Sequence, residues 1–209
     1  IATFAADKDF VTIDDFCTDY IQLAINAMPD PDEVLEKVGY TPAVYRDTLV
    51  DAHVAGYLMK RKSRVKRMIL QWSSGAEKDA VDPKAEAARD LVKKQFDAIE
   101  RINEVVSEIL DAPFFGMTPL ELYWDRLPTG EGRPNGEIKL IDIWGKPFEW
   151  FAFTKEGELK LKSDLSSASY FLRDLPPNKF VPVVNDGTYL NPFGDRAVKR
   201  VFWAYQFKK

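Results

Sequence analysis

"INEVVSEILDAPFFGMTPLELYW", residues 102–124, is where the chain changes character. Val105, Val106, Ile109 and Leu110 recur at helical spacing, and Pro113 and Gly116 mark the end of that pattern. From Leu120 onward the stretch "LELYW" reads as a strand. Segments upstream read as helices and segments downstream mainly as strands. That order predicts an α+β fold, because a parallel α/β sheet would alternate strand and helix along the chain.

Upstream, "TIDDFCTDYIQLAINAM" (12–28) predicts a first helix capped by Thr12, with Phe16, Tyr20, Leu23 and Ala27 near one face. "DPDEVLEKVG" (30–39) predicts a short helix with an acidic first turn and Gly39 past its end. Residues 41–68 predict one long helix, with Thr41 at the N-cap and Pro42 in the first position. Its expected inner stripe is Val50, Val54, Tyr57, Leu58 and Val65, shared by Arg61. "MILQW" (68–72) reads as a short strand, and a helix follows over 82–100, opening at Asp82-Pro83.

Downstream, strands are expected at 120–124, 138–144, 148–154 and 158–163, joined by the turn-forming "PTGEGRPNG", "GKP" and "KEG". In 148–154, Phe148, Trp150 and Ala152 point one way and Glu149, Phe151 and Phe153 the other, a strand buried in a core or an interface. Residues 179–185 form a last strand, moved toward an edge by Pro182. The architecture expected is N-terminal helices, a mostly antiparallel sheet and a C-terminal helix.

That last helix lies in "NPFGDRAVKRVFWAYQFKK" (191–209), with turn residues Asn191, Pro192 and Gly194 and Asp195 as the expected N-cap. Val198, Val201, Phe202 and Tyr205 make one apolar face, and Trp203 and Phe207 make a second. Two readings fit. The helix either has two neighbours, with Trp203 and Phe207 at a subunit interface, or docks as an ordinary C-terminus.

The 209 residues are 45% hydrophobic and 30% charged, a globular composition. A formal net charge of -4 argues against a generally basic nucleic-acid binder. Cys17 and His53 are the lone cysteine and histidine, so neither an internal disulfide nor a zinc site is expected. No apolar run approaches the ~20 residues of a membrane-spanning helix. The opening "IATFAADKDF" lacks the pattern of a signal peptide and an initiator Met, so Ile1 reads as a cut end.

The run "KRKSRVKR" (60–67) is the candidate nucleic-acid contact. On a helix Lys60, Arg64 and Arg67 share a face that would meet phosphates without reading bases, while Lys62 and Lys66 share another. The plainer reading is a solvated helix end whose cations suit the macrodipole. His53 follows Asp51 by two positions, which do not face each other on a helix, so a packed or semi-buried histidine is expected. Glu156 and Glu158 read as solvated turn residues. There is no GxSxG, HExxH or phosphate loop, and no catalytic residue, metal or cofactor is expected.

Several stretches taken together resemble the Mu-like phage portal protein family. They are "DPDEVLEKVG", "YRDTLVDAHVAGYLMKRKSRVKRMILQW", "ILDAPFFGMTPLELYW", "FEWFAFTKEGELKL" and "LPPNKFVPVVND" through "NPFGDRAVKRVFWAYQFKK". Gly116, Glu121 and Trp124 fill one motif, and Asn191, Pro192, Phe193 and Gly194 another; the region around Trp144 matches more loosely. The resemblance implies a non-enzymatic, homo-oligomeric ring, expected as a dodecamer in the full-length protein, at the capsid vertex of the virion. It would be assembled in host cytoplasm. Double-stranded DNA would pass through it non-specifically during packaging and ejection. Terminase, head-completion or connector proteins, and scaffold or capsid proteins would be its partners. It further implies an N-terminal arm over 1–29, a wing-like α+β domain over 30–190, and over 191–209 the truncated start of a stem-directed helix. The rival expectation is a self-contained nucleic-acid-binding module using 60–67.

Overall fold

The computed structural model describes residues 27–28, 30–38, 43–68, 70–75, 82–127, 137–163 and 172–209. Most of the helix expected over 12–28 lies outside them, as do Thr41 and Pro42. Ala27 and Met28 are extended rather than helical: Ala27 bridges Thr154, and the Met28 N–H donates to Phe153 O at 2.8 Å.

Seven helices are described: α1 (Glu33–Val38), α2 (Ala43–Asp47), α3 (Ala52–Lys66), α4 (Pro83–Asp97), α5 (Ile102–Ile109), α6 (Ala112–Phe115) and α7 (Val198–Lys208). The strands are β1 (Met117–Leu127), β2 (Glu137–Gly145), β3 (Phe151–Phe153), β4 (Leu159–Lys162), β5 (Leu172–Arg173) and β6 (Phe180–Val184). The chain divides into two compact units, one of Ile1–Asp30 with Glu149–Leu175 and one of Pro31–Phe148 with Pro176–Lys209. In the first, β3, β4 and β5 pair antiparallel in that order. In the second, β1 is the central strand of an antiparallel sheet ordered β2-β1-β6. The fold class is α+β, and Pro182 does sit on an edge strand, opposite Pro119.

The single helix expected over 41–68 is broken. A 3-10 turn, Thr48–Val50, follows α2, and Asp51 then leaves helical geometry with ψ 118°. Its carboxylate accepts from the N–H groups of His53 and Val54, making it the N-cap of a new helix. The break separates Val50, 81% exposed, from the rest of the expected inner stripe. Val54, Tyr57, Leu58, Arg61 and Val65 still share one side of α3, but that side is open: Tyr57 is 69% exposed, and no residue of α3 is fully buried. His53, expected to be packed, is exposed.

Three further expectations change for local reasons. Residues 70–72 form no strand; Trp72 lies against Phe96 of α4, with ring centroids 5.1 Å apart. Phe148–Trp150 is a 3-10 turn, so only Phe151–Phe153 is strand, and all three of its residues are buried. The helix expected over 102–116 is two: α5 ends at Ile109, and Pro113 sits in the first turn of α6, where its missing N–H costs nothing and which Gly116 ends. The core under the larger sheet is Ile99, Val105, Leu120, Leu140 and Ile143, with the apolar face of α5 laid on β1 and β2.

Candidate functional site

Two turns distant in sequence, at Gly116 and at Asn191–Gly194, interlock. Gly116 has φ 93° and Gly194 φ 79°, both in the region open chiefly to glycine. A Cβ on Gly194 would collide with Gly116 O and lie 2.6 Å from Asn185 O. A Cβ on Gly116 would lie 2.6 Å from Phe193 O. The approach is held by hydrogen bonds: Asn185 N–H donates to Gly116 O at 2.8 Å, and Asp195 N–H to Asn185 O at 2.8 Å. The Asn191 side-chain amide donates to Gly194 O at 3.0 Å, closing the turn on itself.

Arg196 passes through this junction only 2% exposed. Its Nε donates to Phe115 O at 3.0 Å and its Nη1 to Asp32 Oδ2 at 3.0 Å. The rings of Phe148 and Phe193 lie 5.6 and 5.8 Å from the guanidinium carbon. Asp32 uses its other oxygen to cap α1, accepting from Val34 N–H at 3.0 Å. Burial opposes ionisation of Asp32, but the Tyr45 hydroxyl and Arg196 outweigh it and hold the carboxyl below its ordinary value. A buried charge needs such a partner, and here it has one.

The junction sets the direction of α7, because Ala197 N–H donates to Pro113 O at 3.2 Å. Asp195 is not the N-cap expected of it; Ala197 holds that position and Asp195 pairs instead with Lys199 at 3.1 Å and Arg200 at 2.8 Å. Val198 and Phe202 are buried, Phe202 meeting the Tyr45 ring edge-on at 6.0 Å. A different side of α7 faces a groove of about 590 Å³ between it, α3 and the α5–α6 corner. Val54, Leu58 and Val65 line one wall, Pro113 and Phe114 the floor, and Val201 the far wall. Arg61 and Arg64 are cationic residues of the same lining. Lys208 Nζ to Asp51 Oδ2 at 2.6 Å and Lys62 Nζ to Asp111 Oδ1 at 2.5 Å tie the walls together.

On β1, Glu121 is a second convergence point. Lys146 Nζ and Tyr123 OH each lie 2.8 Å from its Oε2, and Lys179 Nζ lies 2.9 Å from its Oε1. Burial opposes its ionisation, but these donors bring its pKa down from 4.5 to about 2. Trp124 donates its indole N–H to Asn178 O at 3.0 Å. The motif Gly116-Glu121-Trp124 therefore serves three fastenings: a corner, a charge clamp and a strap to the residues leading into β6.

Lys60, Arg64 and Arg67 are all exposed, and among the described residues none forms an ion pair. Trp203 is 42% exposed and Phe207 88%. The structure does not gather these two sets into one place: the first follows α3 and the second the outer side of α7. Sequence reasoning named Glu121 only as part of a motif, missed Arg196 and Asp32 as organising residues, and did not foresee the groove. Among the described residues no group of His, Cys, Asp or Glu could hold a metal ion. No described helix is long and apolar enough to cross a membrane.

What the fold defines is an α+β protein whose two motif-bearing turns lock together. Residues 42–209 match the family described as portal protein of Mu bacteriophage, and the chain belongs to that family. No curated protein matches it.

Proposed function

We propose that this chain contributes to the portal ring at one vertex of a phage head, through which double-stranded DNA enters and leaves. The observation that carries this is the extent of the family match, which runs through α2 to α7 and includes both interlocked turns. In this reading copies of the chain assemble into a closed ring, with a dodecamer the expected size. A separate terminase supplies the nucleotide hydrolysis, and head-completion, connector, scaffold or capsid proteins dock on the ring. Residues 30–190 serve as the wing-like domain, residues 1–29 as an arm, and 191–209 lead toward a stem. The protein is carried in the virion after assembly in host cytoplasm.

The chain's role is to position, not to catalyse. Among the described residues the buried carboxylates are paired: Asp32 with Arg196, and Glu121 with Lys146 and Lys179. The exposed Lys60, Arg64 and Arg67 support at most weak, sequence-indifferent contact with phosphates, which counterion release makes steeply salt-dependent. Trp203 and Phe207 are among the exposed apolar side chains that a neighbouring subunit would cover.

The test is genetic and structural. A phage whose gene for this chain carries an early stop codon should form heads that protect no DNA from nuclease, with packaging restored by supplying the intact protein. DNA-filled heads made without the protein would overturn the portal reading.

A further inference from the structure

The groove between α3, α7 and the α5–α6 corner is apolar at its floor and cationic at its rim. With a volume of about 590 Å³ it is open apolar surface of the kind that marks a docking site. The rim selects the occupant by charge. Arg61 and Arg64 lie three positions apart on α3, a rise of about 4.5 Å along the helix. A partner that fits must carry two carboxylates at similar spacing beside an apolar stripe.

One stretch of this chain has that chemistry. Residues 12–26, which lie outside the described residues, contain Asp14, Asp15 and Asp19 and neither Lys nor Arg. In the sequence Phe16, Tyr20 and Leu23 recur at the spacing of an apolar stripe, and Asp15 and Asp19 stand four positions apart beside them. The other apolar candidate, the Trp203–Phe207 side of α7, fails on charge. Its helix carries Lys199, Arg200, Lys208 and Lys209 and no acid, so it would bring like charge to a cationic rim.

We propose that the groove is the receptor for the 12–26 segment of a second copy of the chain, with Asp15 and Asp19 meeting Arg61 and Arg64. This rests on the portal reading. In a ring each subunit offers one patch to the neighbour on its left and a different patch to the neighbour on its right, and an arm and a groove are such a pair.

The test is charge exchange on the whole chain, followed by sedimentation and light scattering. The wild type should self-associate with rising concentration and less so with added salt. Arg61→Glu with Arg64→Glu in one variant, and Asp15→Lys with Asp19→Lys in the other, should each weaken association by about tenfold or more. Mixing the two variants should restore it, since each then offers the arm the other's groove needs. A defect of folding cannot be rescued by mixing. Leu58→Ser, which removes an apolar wall without touching charge, should weaken association; the Asp15→Lys, Asp19→Lys variant, whose groove is intact, should still accept its arm, whereas the Arg61→Glu, Arg64→Glu variant should not. The proposal is overturned if both charge variants associate like the wild type, if the mixture stays dissociated, or if the wild type is monomeric at every concentration. Such a failure leaves the packaging experiment untouched, and a failure of that experiment leaves the arm–groove contact measurable.

Discussion

The junction at Gly116 and Gly194 and the groove along α3 lie on opposite sides of one short stretch, Arg196–Ala197, and differ in how completely they are finished. In the junction Arg196 and Asp32 are both deeply buried and paired, and two glycines remove every Cβ that would hold the turns apart. In the groove, apolar walls remain open and two arginines line them without an ion-pair partner among the described residues. The chain has closed the first by itself. The second has the form of a contact awaiting its other half. Residues of the first kind should govern folding, and those of the second kind association.

The sharpest way to break this contrast is Arg196→Met, which leaves the Asp32 carboxylate buried without its cation. We expect a loss of about 3–5 kcal/mol in a denaturant melt, partly recovered by adding Asp32→Asn. Gly194→Ala should cost about 2–3 kcal/mol, because the new Cβ meets backbone oxygens that cannot swing aside at a positive φ. A melt indistinguishable from the wild type would mean the two turns are not locked.

Glu121→Gln tests the clamp on β1, with a smaller effect of about 1–2 kcal/mol at neutral pH because Lys179 is partly exposed and screened. The sign in pH follows from its lowered folded pKa. The carboxylate's contribution is complete above the ordinary value of 4.5 and is lost as pH falls toward about 2. The stability gap between wild type and variant should therefore close across that acid range. A gap constant in pH would assign the loss to packing.

On the outer side of α7, Trp203→Ser with Phe207→Ser should cost only about 1 kcal/mol, nearly all from Trp203, whose ring meets Phe202 at 5.2 Å. Several kcal/mol would make α7 a helix docked on both faces. Smallest of all, Lys60→Ser, Arg64→Ser and Arg67→Ser together should leave stability within about 0.5 kcal/mol. The same variant should barely change DNA affinity at physiological salt; a large loss of tight, sequence-specific binding would favour the rival binding-module reading.

Features governed by neighbouring residues were legible in the sequence. Gly116 as the corner from helix to strand, Asp82-Pro83 as a helix start and Pro182 on an edge strand each follow from the backbone needs of one or two residues. Asp51 was harder. It interrupts an otherwise helical spacing without Pro or Gly, and its capping role depends on a ψ that spacing does not reveal. Arg196 was not legible at all. In "GDRAV" it reads as a surface residue, and its burial depends on Asp32 and Phe148, neither of which is nearby in sequence. The apolar stripes of α3 and α7 could be read from periodicity, but not that the stripe of α3 would stay open: the groove exists because the junction aims one helix along the other.

The Asp32–Arg196 pair spans 164 positions of the chain. On the ribosome, elongation at ~5–20 residues per second separates the appearance of its two halves by about ten to thirty seconds. Throughout that interval the cap of α1 exists without the cation that completes it, and the Gly116 corner waits for the turn that seals it. The junction is thus a late closer: a turn made 164 positions after Asp32 acts as the latch for α1, the first described helix. Premature release or a stalled ribosome near the Asn191 turn would leave a species with its local helices available but its junction unsealed, the form most exposed to proteases and aggregation.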